Sequence, residues 1–104
     1  MASLLNTIVG CIVSDAKQVH DYVQITFSNK IGLSIYNKIC VDQGLKPLSK
    51  LNGKMVTSIA EEAISIRINF IDHTQICIDM RPEAYRGPEA LQLNRPGEPP
   101  VIWN

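Results

Sequence analysis

The chain has 104 residues, 45% of them hydrophobic and 19% charged, with six Gly and six Pro. That composition is globular, and the length gives one domain with one core, too little for a cofactor domain beside a substrate domain. Ten Lys plus Arg offset ten Asp plus Glu, so no global field draws the chain to nucleic acid or to acidic membranes. Any charged partner has to be met by a local patch.

The opening run Leu4-Leu5-Asn6-Thr7-Ile8-Val9-Gly10-Cys11 looks like a short signal segment with a lipoprotein box. However, no Lys or Arg precedes it, Asn6 and Thr7 interrupt it, and the uncharged stretch to Ser14 is too short to span a bilayer. It is expected to be part of the fold, because it recurs. A shift of 43 residues places Leu5, Ile8, Gly10, Val13, Val23, Ile25, Phe27, Leu33 and Ile35 on Leu48, Leu51, Gly53, Val56, Ile66, Ile68, Phe70, Ile76 and Ile78. Gly and Phe are scarce in this chain, so their coincidence is the informative part. Two copies are too few for a stacked solenoid.

Each copy begins with Leu-x-x-apolar-x-Gly, read as a short helical turn entering a strand that carries Ile12 and Val13 in the first copy, and Met55, Val56 and Ile59 in the second. Period-two alternation follows: Val23, Ile25 and Phe27, then a turn at Asn29-Lys30, then Ile31, Leu33 and Ile35. The second copy repeats it with Ile64, Ile66, Ile68 and Phe70, a turn at Asp72-His73, then Ile76, Ile78 and Met80. The copies span about 5–36 and 48–80, joined by a connection from about Asn37 to Lys46, and a closing segment runs from 81 to 104. Helical material is limited to Leu4–Val9, Ile39–Gly44 and Pro82–Tyr85. The closing segment reads as a turn at Gly87-Pro88, a strand Leu91–Leu93, a Pro-rich bend and a final Val101-Ile102-Trp103 that closes an edge. The expected fold is therefore mainly β (α+β). Two three-stranded meanders form one six-stranded antiparallel sheet, curved into a half-barrel or barrel, with one or two short helices.

Cys11, Cys40 and Cys77 are odd in number and far apart, which suggests neither a zinc knuckle nor a disulfide framework and fits a reducing cytoplasm. His20 and His73 fall at turns without a Cys, Ser or carboxylate partner at a recognisable spacing. Asp72 beside His73 offers an acid–base pair, but a polar hairpin tip accounts for both residues. No phosphate loop, metal-ligand cluster or nucleophile elbow occurs, so neither enzyme, cofactor nor metal is expected. Lys38, Lys46, Lys50 and Lys54 cluster around the junction of the two copies, and Tyr22, Tyr36, Tyr85 and Trp103 fall outside the inner alternation, as single-stranded nucleic-acid binding would need. Acidic residues are grouped more sharply at Glu61, Glu62, Asp72, Asp79, Glu83 and Glu89. On one face they would suit a basic protein partner, with Tyr85 or Trp103 as anchors. Exposed strand edges could also support a homodimer.

The run Arg81-Pro-Glu-Ala-Tyr-Arg-Gly-Pro-Glu-Ala-Leu91, the closing Val101-Ile102-Trp103 and the doubled Leu-x-x-apolar-x-Gly followed by apolar-x-apolar-x-Phe resemble small bacterial immunity proteins of contact-dependent growth inhibition and related polymorphic toxin systems. The resemblance covers most of the chain. It implies a cytoplasmic, non-catalytic protein that binds one cognate toxin domain, often a nuclease, and blocks its active site.

Overall fold

A computed structural model describes residues 4–41 and 47–104. Among these residues nine strands are laid down in order: β1 (Val13–Val19), β2 (Tyr22–Phe27), β3 (Gly32–Ile35), β4 (Ile39–Val41), β5 (Val56–Glu61), β6 (Ser65–Phe70), β7 (Gln75–Asp79), β8 (Leu91–Asn94) and β9 (Val101–Trp103). Single 3-10 turns at Leu4–Ile8, Leu48–Leu51 and Pro82–Ala84 match the helical turns expected at the copy entries and after β7. The fold is mainly β and antiparallel, but the single six-stranded sheet is not formed. There are two open sheets, ordered β1-β2-β3-β8-β9 and β4-β7-β6-β5.

Two local causes separate the sheets. The first strands of the copies form no ladder with each other, and their entries are joined around an isolated bridge between Ile12 and Met55. Directly after it both strands carry a bulge, between Val13 and Asp15 and between Val56 and Ser58, and a bulge bends its strand away from simple pairing. The third strand of each meander then gains a neighbour. β8 pairs with β3, and β4 pairs with β7. The expected helix at Ile39–Gly44 is thus a strand over Ile39–Val41, where two β-branched side chains alternate beside the apolar row of β7; the rest of that stretch lies outside the described residues, as does Lys46.

The repeat is reproduced bond by bond. The Gly10 N–H donates to Val56 O (2.7 Å) and the Gly53 N–H to Val13 O (2.8 Å). Val13 N–H donates to Lys54 O and Val56 N–H to Cys11 O, at 2.9 and 3.0 Å. Each bond from the first copy to the second has a mate running back, the reciprocity of a two-fold interface, here within one chain. The two glycines hold φ of +88° and +87°, and Lys30 and His73 at the hairpin tips hold +71° and +69°. Only the glycines adopt such values without crowding a Cβ. Each entry turn packs against the other copy's first strand, Leu48–Leu51 on β1 and Leu4–Ile8 on β5.

Inner-face residues of both sheets join one buried cluster, including Val23, Ile25, Phe27, Leu33, Ile35, Ile66, Ile68, Phe70, Ile76 and Ile78. Each large side chain in it contributes about 1.5–3 kcal/mol relative to exposure. Ile64 departs from the expected alternation and is exposed, because the chain bends at Ala63-Ile64 and β6 starts only at Ser65. The closing segment is structural: Ala90 is fully buried, and its carbonyl accepts the Tyr36 and Asn37 N–H groups at 2.9 and 3.1 Å.

Candidate partner-binding surface

The acidic residues singled out by sequence do not share one face. Ser65 pairs with Asp79 and Glu61 with Ile66, so Glu61, Glu62, Asp79 and the nearby Glu83 gather at one end of the second sheet. Asp72 sits at the far tip of the β6–β7 hairpin, a six-residue strand or about 20 Å away. Glu89 belongs to the closing segment against the first sheet. Most of these carboxylates already have cationic neighbours. Glu62 accepts from Arg67 Nη1 at 2.9 Å, and Asp79 accepts from Arg81 Nη2 at 2.6 Å and from Nε at 3.0 Å. Arg81 reaches Glu83 at 3.6 Å. These hydrogen bonds hold the Asp79 carboxyl at a pKa of about 2 and raise that of Arg81.

Asp72 pairs with Lys54 Nζ and accepts from the Thr74 hydroxyl at 2.5 Å and the Thr74 N–H at 3.2 Å. The Lys54 bond, foremost, keeps its carboxyl well below the usual range. Its partners are thus those of a tied-down hairpin tip. Tyr85 and Trp103 are half-buried against the core, so each offers only part of its ring to a partner.

Two of the four aromatics that the sequence places outside the inner alternation come together as a pair. Tyr22 and Tyr36 stand with ring centroids 5.4 Å apart, tilted by 48°. An open cavity of about 210 Å³ beside them is also lined by Arg86, Gly87 and Glu89. The Arg86 Nη1 donates to Asp21 O at 2.7 Å, bringing the closing segment onto the β1–β2 turn. An adjoining cavity of about 260 Å³ includes Asn37 in its wall. Asn37 is buried, and its Nδ2 donates to Asp79 O at 2.9 Å.

The largest groove runs along β4. About 600 Å³ in volume, it is lined by Ala16, Ile39, Val41, Pro47 and Leu48, and Lys17 is the one charged side chain among its described lining residues. A smaller depression of about 350 Å³ against the same strand is lined by Lys38, Cys40, Ile64, Cys77 and Arg81 together with Asp79, at the acidic end of the sheet. β4 also differs from the other edge strands. β1 exposes Ser14, Asp15, Lys17 and Gln18; β5 exposes Thr57, Ser58 and Glu61; β9 is led in by Pro99-Pro100. Polar, charged and proline-guarded edges resist adventitious pairing. Ile39-Cys40-Val41 has none of these guards within the strand. The sequence signal was the apolar-x-apolar spacing, too short at three residues to stand out from a connecting segment.

Among the described residues, no group of three or more His, Cys, Asp and Glu is placed so that it could hold a metal ion, and no helix is long and apolar enough to cross a membrane. No family model, curated protein or solved structure matches the chain.

Proposed function

We propose that this chain is an immunity protein, acting in the cytoplasm, that binds a cognate toxin domain, a nuclease, and occludes its active site. The reading is supported by the resemblance carried by Arg81–Leu91 and Val101–Trp103. The observation that carries it is the unguarded β4 edge with its apolar groove, next to the acidic end of the second sheet. A groove with apolar walls supplies the desolvated contacts from which tight binding is built, and neighbouring charges steer the encounter. Glu61, which has no ion pair among the described residues, is the free carboxylate at that end for a basic nuclease cleft. The test is genetic and biochemical: the reading frame upstream should encode a large exported protein, and its C-terminal domain should co-purify one-to-one with this chain and lose its toxicity. If the two proteins ignore each other at micromolar concentration, the proposal fails.

A second reading, single-stranded nucleic-acid binding, is favoured by the tilted Tyr22–Tyr36 pair beside Arg86, since aromatic rings next to a guanidinium suit a base and its phosphate. It predicts that affinity for an oligonucleotide falls steeply with salt and depends on Tyr22 and Arg86. Lys54 contributes little to it, being held by Asp72.

A further inference from the structure

We infer that the outer edge of β4, unpaired among the described residues, accepts an extended segment of the protein partner as an added antiparallel strand, filling on the second sheet the place that β9 fills on the first. The inference rests on the reading of the chain as a toxin-binding protein, and the internal repeat supplies the template. Ile78, Cys77 and Ile76 of β7 pair with Ile39, Cys40 and Val41 as their counterparts Ile35, Ser34 and Leu33 of β3 pair with Leu91, Gln92 and Leu93. β4 is therefore the equivalent of β8. On β8, strand β9 is seated, with Leu91 opposite Trp103 and Leu93 opposite Val101, and both leucines are fully buried. On β4 the equivalent Ile39 and Val41 are only half-buried.

Backbone polarity points the same way. The Tyr36 N–H donates to Ala90 O (2.9 Å), and in the other sheet the Asp79 N–H donates to Lys38 O (3.0 Å). In an antiparallel ladder, bonding alternates residue by residue. Leu91 and Leu93 therefore turn their N–H and C=O groups away from β3, toward β9. Ile39 and Val41 turn theirs away from β7, toward the groove. A strand laid there closes those bonds and covers the two apolar side chains, the arrangement by which sheets capture extended peptides.

The occupant's chemistry follows from its surroundings. β9 alternates half-buried, exposed, half-buried through Val101, Ile102 and Trp103, so the incoming strand carries apolar side chains at two positions spaced by one. Lys17, 4.0 Å from Asp15, is the one charged side chain among the described residues that line the groove, and an acidic residue at that end of the incoming strand complements it.

The experiment is amide hydrogen exchange of this chain, free and bound to the toxin domain encoded upstream, with Val41→Pro as a companion variant. Proline there removes an outward donor while leaving the bonds to β7 in place. Protection of the Ile39 and Val41 amides on binding, with about tenfold weaker affinity in the variant, is the expected result. A complex that forms while both amides exchange as in the free chain overturns the strand-addition inference and leaves the immunity reading standing. If no complex forms, that reading fails. A peptide spanning Glu98–Asn104, which carries the β9 sequence and an acidic end, then decides the edge alone: shifts of the Ile39 and Val41 amide resonances support a strand-accepting edge, and none overturns it. The hydrogen-exchange readout uses the natural chain, so a misfolded proline variant does not blur the outcome.

Discussion

The two halves of this chain share a backbone and differ in what is laid over it. Entry turn, positive-φ glycine, bulge, hairpin and third-strand neighbour recur in the same places, down to reciprocal hydrogen bonds. At the edge of the third strand's neighbour, one half has β9, and in the other no strand among the described residues pairs with the outer edge of Ile39–Val41, which lines a groove. At the hairpin tip, Asn29 Nδ2 meets Cys11 Sγ at 3.2 Å in one half, whereas Asp72 meets Lys54 in the other. Sites fixed by backbone geometry have stayed alike, because a glycine at +88° or a buried Phe has few substitutes. Edges and tips carry no such constraint.

The largest effects test whether the halves are energetically equivalent. Phe27→Ala and Phe70→Ala each empty a buried site at the same place in its copy and should each cost about 3–5 kcal/mol. Denaturant titration should find the two losses within about 1 kcal/mol of one another, and a larger gap would break the equivalence drawn from the bonds. Truncation after Pro100 removes β9 and leaves Leu91 and Leu93 uncovered, making the first sheet resemble the second. A lower melting temperature and concentration-dependent association in sedimentation are expected. Unchanged behaviour on both counts would show that β9 does not guard the edge. Gly10→Ala and Gly53→Ala place a Cβ in open space at a positive φ, so the cost is backbone strain alone, about 1–2 kcal/mol and similar in both.

Much of this architecture was legible in the sequence, for identifiable reasons. Alternation in Val23-x-Ile25-x-Phe27 and Ile66-x-Ile68-x-Phe70 fixes which face is buried, because a strand has only two. The Gly10–Gly53 coincidence located the entry turns. The division into two sheets was not legible, since it depends on bulges after Val13 and Val56 that no residue type announces. Three-residue β4 was read as part of a helix and connection, being too short for period two to be told from other patterns. The acidic grouping along the sequence was real, but it did not become one face. Side chains at Asp72 and Asp79 occupy opposite ends of β7, and each is held by a nearby cation, Lys54 or Arg81. Arg86, which lines the Tyr22–Tyr36 cavity, reaches Asp21 across 65 positions of sequence, a contact that only the folded closing segment creates.

The smallest effect isolates the difference at the tips. The Asp72 and Asp79 carboxyls have folded pKa values below the ordinary 3.8, Asp79 at about 2. A depressed carboxyl pKa means that the unfolded chain binds the proton more readily. Its stabilisation is therefore complete above about pH 4 and is lost as pH falls through the folded value. Denaturation midpoints should accordingly decline from about pH 4 toward about pH 2, and added salt should flatten the decline because both carboxyls lie near solvent. Asp72→Asn gives the second tip the side chain of the first, Asn29, and should remove part of that slope while leaving the midpoint near neutrality little changed. Asn29→Asp, placed beside Cys11 without a cation, should not reproduce the slope. If Asp72→Asn instead keeps the full wild-type decline, the acid sensitivity belongs to Asp79 and Arg81, and the two tips are equivalent in energy although they differ in chemistry.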